Sequence, residues 1–299
     1  MKIFKYIILI SFLLCLSIFI SCNKSENDMK KRNYIISTKV PIKKTPKKVV
    51  SISPAITSIL FDLECGDRLI GRTDFCNYPP EAKKIKSVGG INNTNLEMII
   101  SMRPDLVITS SIFTKKMFQT IESAEIPIIS FKETNTIEGM YEVIEILGEI
   151  LDKKEKANQL IQDSKTKIQK IKTKIQENRS LKKKSQTPKV YYVVGFGPSG
   201  DFSAGKDTYI NEIITIAGGN NIAKESVNWS FSTEELFFQQ PDFIFIRKED
   251  SASFVNTFPY TKLKAVINNK VYGIESGLMD IQTPRSIQAI EFISETISL

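Results

Sequence analysis

With 299 residues, no histidine and four cysteines, the chain has room for two modest lobes but lacks the commonest metal ligand and general base. That excludes Ser-His and Cys-His catalytic pairs, together with any zinc or manganese pocket built on histidine. The formal charge of +8 raises nucleic acid as a partner, yet the lysines gather before residue 48 and over 153–184. A tether and a solvated helix face account for them, and no nucleic-acid partner is expected.

The chain opens on Lys2 and Lys5, followed by an apolar run from Ile7 to Ile20. The run is shorter than the ~20 residues of a spanning helix, so 1–21 is expected to be a secretory signal. It ends at Phe19-Ile20-Ser21-Cys22, which resembles a lipoprotein processing box with Phe19 where leucine is usual. Cys22 is the expected lipidation site, against the simpler alternative of cleavage and release. Several acyl chains on one cysteine would anchor the protein firmly to a membrane. Residues 22–46 are polar without an apolar period and are expected to be a tether.

From 47 the pattern changes to alternating strands and helices, and a first lobe is expected over 47–151. A buried strand at 49–52 leads into a helix with Ser53 as N-cap and Pro54 at its first position. Strands follow near 68–71, 106–108 and 126–131, with helices at 96–101 and 115–123, an order that implies a parallel sheet. A helix at 137–151 closes the lobe.

Asp152 and Glu155 read as a capping box for a second, longer helix. Its apolar stripe, Ala157, Leu160, Ile161, Ser164, Ile168, Ile171 and Ile175, predicts a strut spanning ~40 Å between lobes, with its linker over 152–187. A coiled-coil arm is the alternative, disfavoured by so short a stripe.

A second lobe is expected over 188–299, with strands at 190–194 and 243–246 and helices at 208–217 and 232–239. Asn95-Leu96-Glu97 to Pro104-Asp105 matches Ser232-Thr233-Glu234 to Pro241-Asp242 in order and spacing. The fold class is therefore α/β, two Rossmann-like lobes joined by one long helix, with the ligand cleft between them.

Two glycine motifs suggest nucleotide chemistry. Gly195-Phe196-Gly197-Pro198-Ser199-Gly200 fits the dinucleotide spacing but is expected to run on as loop from Asp201 to Gly205, with no helix opening at once. Gly200 to Gly205-Lys206-Asp207 falls one residue short of a P-loop, because Asp207 stands where a hydroxyl should bind Mg²⁺. A nucleotide-dependent enzyme is the rival reading from another class, and an adhesive surface lipoprotein is a third. Only Cys65 and Cys76 remain in the expected mature chain, so one disulfide at most can form.

Phe75, Tyr78, Phe196, Phe202, Trp229 and Phe231 lie on loops that end strands or precede helices, where α/β sheets bind ligands. They are the candidate ligand-binding residues. For Phe75 and Phe231 a place in the lobe core is an equal alternative.

Three stretches carry a resemblance: Val49-Val50-Ser51-Ile52-Ser53-Pro54-Ala55-Ile56-Thr57, Asn77-Tyr78-Pro79-Pro80-Glu81-Ala82, and Ser87-Val88-Gly89-Gly90 leading to Asn95-Leu96-Glu97. With Phe202-Ser203-Ala204-Gly205 and Ala217-Gly218-Gly219-Asn220-Asn221-Ile222, the chain resembles the cobalamin- and ferric-siderophore-binding proteins of ABC importers. The resemblance implies a periplasmic or cell-surface protein without catalytic turnover or a resident cofactor. It would act as a monomer, capture a cobalamin or ferric-siderophore chelate, with haem as an alternative, and deliver it to a permease dimer with its ATPase. By the same resemblance Arg285 is a cleft-facing arginine, with Arg72 a weaker candidate. Glu97 and Glu234 fall at the family's docking glutamates. One departure is plain: the cleft tryptophan of cobalamin binders is Ile91 or a neighbour here.

Overall fold

Val49, Val50, Ser51 and Ile52 form a strand buried along its whole length. An apolar run without alternation requires that of its sheet, with helices on both faces. The computed structural model describes residues 35–298, leaving aside Thr38, Asn92, Ser111, Ile112, Glu133, 183–185 and Ser199. The expected signal, Cys22 and the first part of the expected tether lie outside the described residues.

The first lobe runs β1 (Ile35–Ser37), β2 (Val49–Ile52), α1 (Pro54–Asp62), β3 (Leu69–Arg72), α2 (Leu96–Ser101), β4 (Leu106–Ser110), α3 (Lys115–Ser123), β5 (Ile128–Phe131) and α4 (Ile137–Ile150). Its sheet has the order β1-β5-β4-β2-β3. All pairings are parallel except that of β1, which runs antiparallel to β5. This corrects the tether expected over 22–46: residues 35–37 cover an edge whose backbone groups would otherwise face solvent. Each helix starts on a capping side chain. Ser53, Asn95, Thr114 and Thr136 accept from the N–H groups of Ile56, Met98, Met117 and Gly139.

The strut α5 (Lys154–Lys182) follows at once. At 1.5 Å per residue it is about 43 Å long. The expected Asp152–Glu155 capping box does not form. Asp152 has a φ of 56°, the left-handed turn that ends α4, and the Lys153 carbonyl accepts the first bond of α5 from Ala157 N–H. The tight junction thus places the helix start one residue later than the capping motif implies.

The second lobe runs β6 (Lys189–Gly195), β7 (Asp201–Ser203), α6 (Tyr209–Ile216), β8 (Asn220–Asn221), β9 (Ser230–Phe231), α7 (Thr233–Gln239), β10 (Phe243–Arg247), α8 (Ser251–Asn256), α9 (Lys264–Ile267), β11 (Val271–Ile274), α10 (Ser276–Met279) and α11 (Ser286–Ile297). The sheet order is β11-β10-β6-β7-β9, with β8 beside the start of β6. β11, β10 and β6 are parallel, whereas β7 returns antiparallel to β6 and β9 to β7.

The repeat legible in sequence is a repeat in space. Asp105 Oδ2 accepts from the N–H groups of Lys47 and Lys48 at 2.8 and 2.9 Å, just before β2. Asp242 Oδ2 accepts from Lys189 N–H at 2.8 Å, at the first residue of β6. Each Pro-Asp pair therefore fixes the start of an interior strand of its lobe's sheet, β2 in the first and β6 in the second. One apolar cluster runs through both lobes and the strut, including Leu60 and Ile144 from the first lobe, Ile168 and Ile171 from α5, and Ile213 and Ile290 from the second. α5 packs on α4 and on α11, so the lobes share a core and do not hang on a flexible link.

Candidate functional site

Between the lobes lies a cavity of about 740 Å³. Ser110, Phe131, Val194 and Arg247, at or near the C-terminal ends of β4, β5, β6 and β10, reach its wall. The starts of α1 and α6 complete it through Pro54, Ile56, Thr208 and Tyr209. This is the crevice where strand ends and helix starts meet, the place an α/β sheet offers a ligand. Ile59, Ile91, Met140, Val143, Ile210 and Ile281 make the lining largely apolar.

Of the aromatic candidates, Trp229 and Phe202 line this cavity and keep 40% and 37% of their surface exposed. They arrive together because β7 and β9 pair, with Phe202 opposite Ser230. Phe202 also lies over Gly195, where an added Cβ would come 3.2 Å from its ring.

The other candidates stand elsewhere. Phe231 is buried against Tyr191, and Phe196 meets Phe254 and Tyr260 edge-on, so both belong to the apolar cluster of the second lobe. Phe75 is exposed beside Gly90, outside the lining itself. Tyr78 lies under the guanidinium of Arg285, which also donates to Glu275 Oε1 at 3.1 Å. Arg72 spends its guanidinium on the carbonyls of Thr73, Ala82 and Lys83. Glu97 and Glu234 are exposed at the second position of α2 and α7, in matching places of the two lobes. The Ser232–Glu235 box forms by half: Ser232 Oγ accepts from Glu235 N–H, while Glu235 Oε1 accepts from Gln239 Nε2.

Three charged residues reach the cavity, and none stood out in sequence. Arg247 Nε donates to Asp280 Oδ2 at 2.7 Å, and the Tyr192 hydroxyl donates to Asp280 Oδ1 at 3.2 Å. Burial opposes the Arg247 charge, but the hydrogen bond and charge of Asp280 outweigh it and raise its pKa. Burial first, then Asp280, pushes the Tyr192 hydroxyl far up, so it stays a donor. The third, Lys132, is exposed and has no ion-pair partner among the described residues. A signal existed for two of them: Lys132 directly follows β5 and Arg247 ends β10, each a cation closing an apolar run.

The glycine loop is a hairpin turn. Gly197 and Gly200 have φ of 102° and 103°, and Gly200 N–H donates to Gly197 O at 2.9 Å. The chain then returns as β7, where loop was expected. Among the described residues no helix opens directly from the turn, so a pyrophosphate would lack the N–H groups of a helix start there. Cys65 and Cys76 are buried and unbridged. Among the described residues no group of three or more Cys, Asp or Glu could hold a metal ion, and no helix is long and apolar enough to cross a membrane.

Residues 49–278 match the family described as periplasmic binding protein. The chain belongs to this family. Its span takes in both sheets except the edge strand β1, and most of the cavity wall. A Bacillus subtilis relative, an uncharacterised ABC transporter substrate-binding lipoprotein, is 30% identical over 263 residues, 86% of this chain and 82% of the relative. A vitamin B12-binding protein of Vibrio campbellii is 27% identical over 259 residues, 83% of this chain and 88% of its own. A periplasmic haem-binding protein of Pseudomonas aeruginosa shares the fold with a TM-score of 0.76 at 18% identity, over 85% of this chain and 93% of that one. The expectation of family and of a two-lobed α/β fold is met.

Proposed function

We propose that this chain is the substrate-binding component of an ABC importer, which holds a large metal chelate between its lobes and hands it to a membrane permease. One observation carries the reading: a mostly apolar interlobe cavity of about 740 Å³ that displays Trp229 and Phe202. That volume lies in the range of cavities that enclose a sizeable ligand. A flat macrocycle or an aromatic chelate needs broad apolar faces with few polar anchors, which these two rings, Lys132 and the Arg247–Asp280 pair supply. No covalent step is required of the protein, whose work is capture and release. Cobalamin-like and ferric-siderophore chelates are the first candidates, with haem, another metal-bearing chelate, as the alternative. Glu97 and Glu234 would meet the permease. Cys22 would carry the lipid that keeps the exported protein at the membrane.

The test is titration of the apo protein with cyanocobalamin, haemin, a ferric catecholate and a ferric hydroxamate, read by visible absorbance and by the emission of Trp229, the only tryptophan. One of these should saturate at one per chain and quench that emission. Four flat titrations would dismiss the chelate reading.

A further inference from the structure

We propose that Asp207 is the positioning residue for Trp229, holding the 226–230 loop in a conformation that the chain would otherwise leave. The proposal rests on the reading of the interlobe cavity as a chelate site and names what presents its largest aromatic face.

Asn228 and Trp229 have φ of 55° and 63°. Two successive residues with a Cβ in the left-handed region are strained, because that Cβ crowds the following carbonyl. Such a loop persists only where its surroundings over-determine it. Here they do so from one short segment. Asp207 Oδ2 accepts from Asn228 N–H at 3.0 Å, bonding the first strained residue directly. One residue earlier, Lys206 N–H donates to Ser226 O at 3.1 Å. At Gly205 an added Cβ would lie 1.9 Å from that same Ser226 oxygen, so only glycine lets the two backbones approach. On the other side Ser203 N–H donates to Trp229 O at 2.8 Å.

A second observation singles out the carboxylate. Asp207 Oδ1 is buried and has no hydrogen-bond partner among the described residues. Leaving Oδ1 unpaired costs stability, so what Asp207 contributes is the bond that Oδ2 makes to the loop. Gly205-Lys206-Asp207, the sequence that imitates a P-loop, thus acts as a clamp on a binding loop. Asn228 and Trp229 both reach the cavity wall, and the next residue after the clamp, Thr208, caps α6 and lines the same wall. The indole is therefore set before a ligand arrives, which spares the ordering cost on binding.

Because Trp229 is the sole tryptophan, the clamp can be read in the apo protein without knowing the ligand. Asp207→Ala should raise acrylamide quenching of the indole by roughly twofold and lower its anisotropy, as expected of a loop released to local opening. Asp207→Asn keeps an oxygen acceptor and should restore both readings. With haemin and cyanocobalamin as probes, whichever binds wild type should bind Asp207→Ala about tenfold more weakly, as when the competent loop falls to about a tenth of the population. Wild-type quenching and anisotropy in a cooperatively melting Asp207→Ala would overturn the proposal. So would an Asp207→Asn variant that behaves like alanine, or unchanged affinity for a probe that binds wild type. Should Asp207→Ala not fold, Gly205→Ala disturbs the same clamp from its other end, and an unmoved indole there would overturn it equally. If the indole is released as expected but neither probe binds wild type, the chelate reading fails and the clamp stands.

Discussion

The guanidinium carbon of Arg285 sits 3.3 Å from the centroid of the Tyr78 ring, tying the second lobe to the first. Only 12% of the Arg285 side chain is exposed, and its remaining reach goes to Glu275. These two residues face each other instead of the cavity, and their contact complements the core that the lobes share through α5. Tyr78→Ala should lower unfolding free energy by about 0.5–2 kcal/mol, the range of a partly desolvated cation–π pair. Chelate affinity should change little. Loss of affinity at unchanged stability would return Tyr78 to the binding surface.

Asp62 lies in the field of the same arginine. Burial raises its carboxyl from 3.8 to about 6, against the lowering charges of Arg285 and Lys156, and its Oδ2 is buried without a hydrogen-bond partner among the described residues. In the unfolded chain this group loses its proton near pH 4. Between about pH 4 and 6 the native state therefore holds a proton that the unfolded state has released, so stability falls as pH rises through that window. Above about pH 6 both states are ionised and the loss is complete. Asp62→Asn should flatten that slope and stabilise the protein near pH 7 by about 1–2 kcal/mol, the shift scaled down for partial exposure. Urea unfolding below about pH 4 should show little difference between the two proteins.

The aromatic residues divide by experiment as they do in space. Phe231→Ala should cost about 3–5 kcal/mol of stability, because it empties a buried site against Tyr191. Phe202→Ala, at a half-exposed ring, should cost about 1 kcal/mol or less and show its effect in chelate affinity. Denaturation midpoints and titrations on the same two variants check the division. A stable Phe231→Ala protein with lost binding would reverse it.

The contrast between those two phenylalanines shows what sequence could and could not deliver. The helix start at Ser53 was legible because a capping side chain acts on its own next turn. The Pro-Asp repeat was legible because equal spacing reflects equal geometry. Asp201–Ser203 is too short to show alternation, so nothing local told that Phe202 would face the cleft and Phe231 the core. Asp152 carried a sound capping signal that the junction between α4 and α5 overrode. Lys132 and Arg247 went unnoticed because a cation after an apolar strand is ordinary until two lobes close around it.

Lys132 gives the cavity a charge that no carboxylate of the described residues answers, while Asp280 already serves Arg247 and Tyr192. The bound chelate should then carry an anionic group on the first-lobe side. Lys132→Gln should weaken haemin binding about fivefold, the upper range of a solvent-accessible ion pair, if haemin is a ligand. Haem dimethyl ester, which lacks the carboxylates, should bind both proteins alike, and added salt should narrow the gap for haemin. For a ferric catecholate the corresponding comparison is with a neutral hydroxamate. Equal effects on charged and neutral chelates would remove Lys132 from recognition.

Glu97 and Glu234 occupy the second position of α2 and α7, each behind a cap whose oxygen accepts from the helix N–H three residues on. A carboxylate there complements the helix dipole by about 0.3–1 kcal/mol, which alone would explain two acids. Their symmetry asks for more. Both are exposed, and each opens a helix that leads to a Pro-Asp pair whose aspartate, Asp105 or Asp242, holds the start of an interior strand of its lobe. The shared core and the strut hold the lobes in one arrangement, so the two carboxylates stand at a set separation. A permease dimer presenting one cation per subunit could read that separation. Charge reversal at both sites, Glu97→Lys with Glu234→Lys, should abolish uptake in cells that lack the native copy. Each change should cost the isolated protein no more than about 1 kcal/mol of stability and leave chelate affinity unaltered. Normal uptake by the doubly reversed protein at wild-type abundance would leave the two glutamates as helix-dipole partners only.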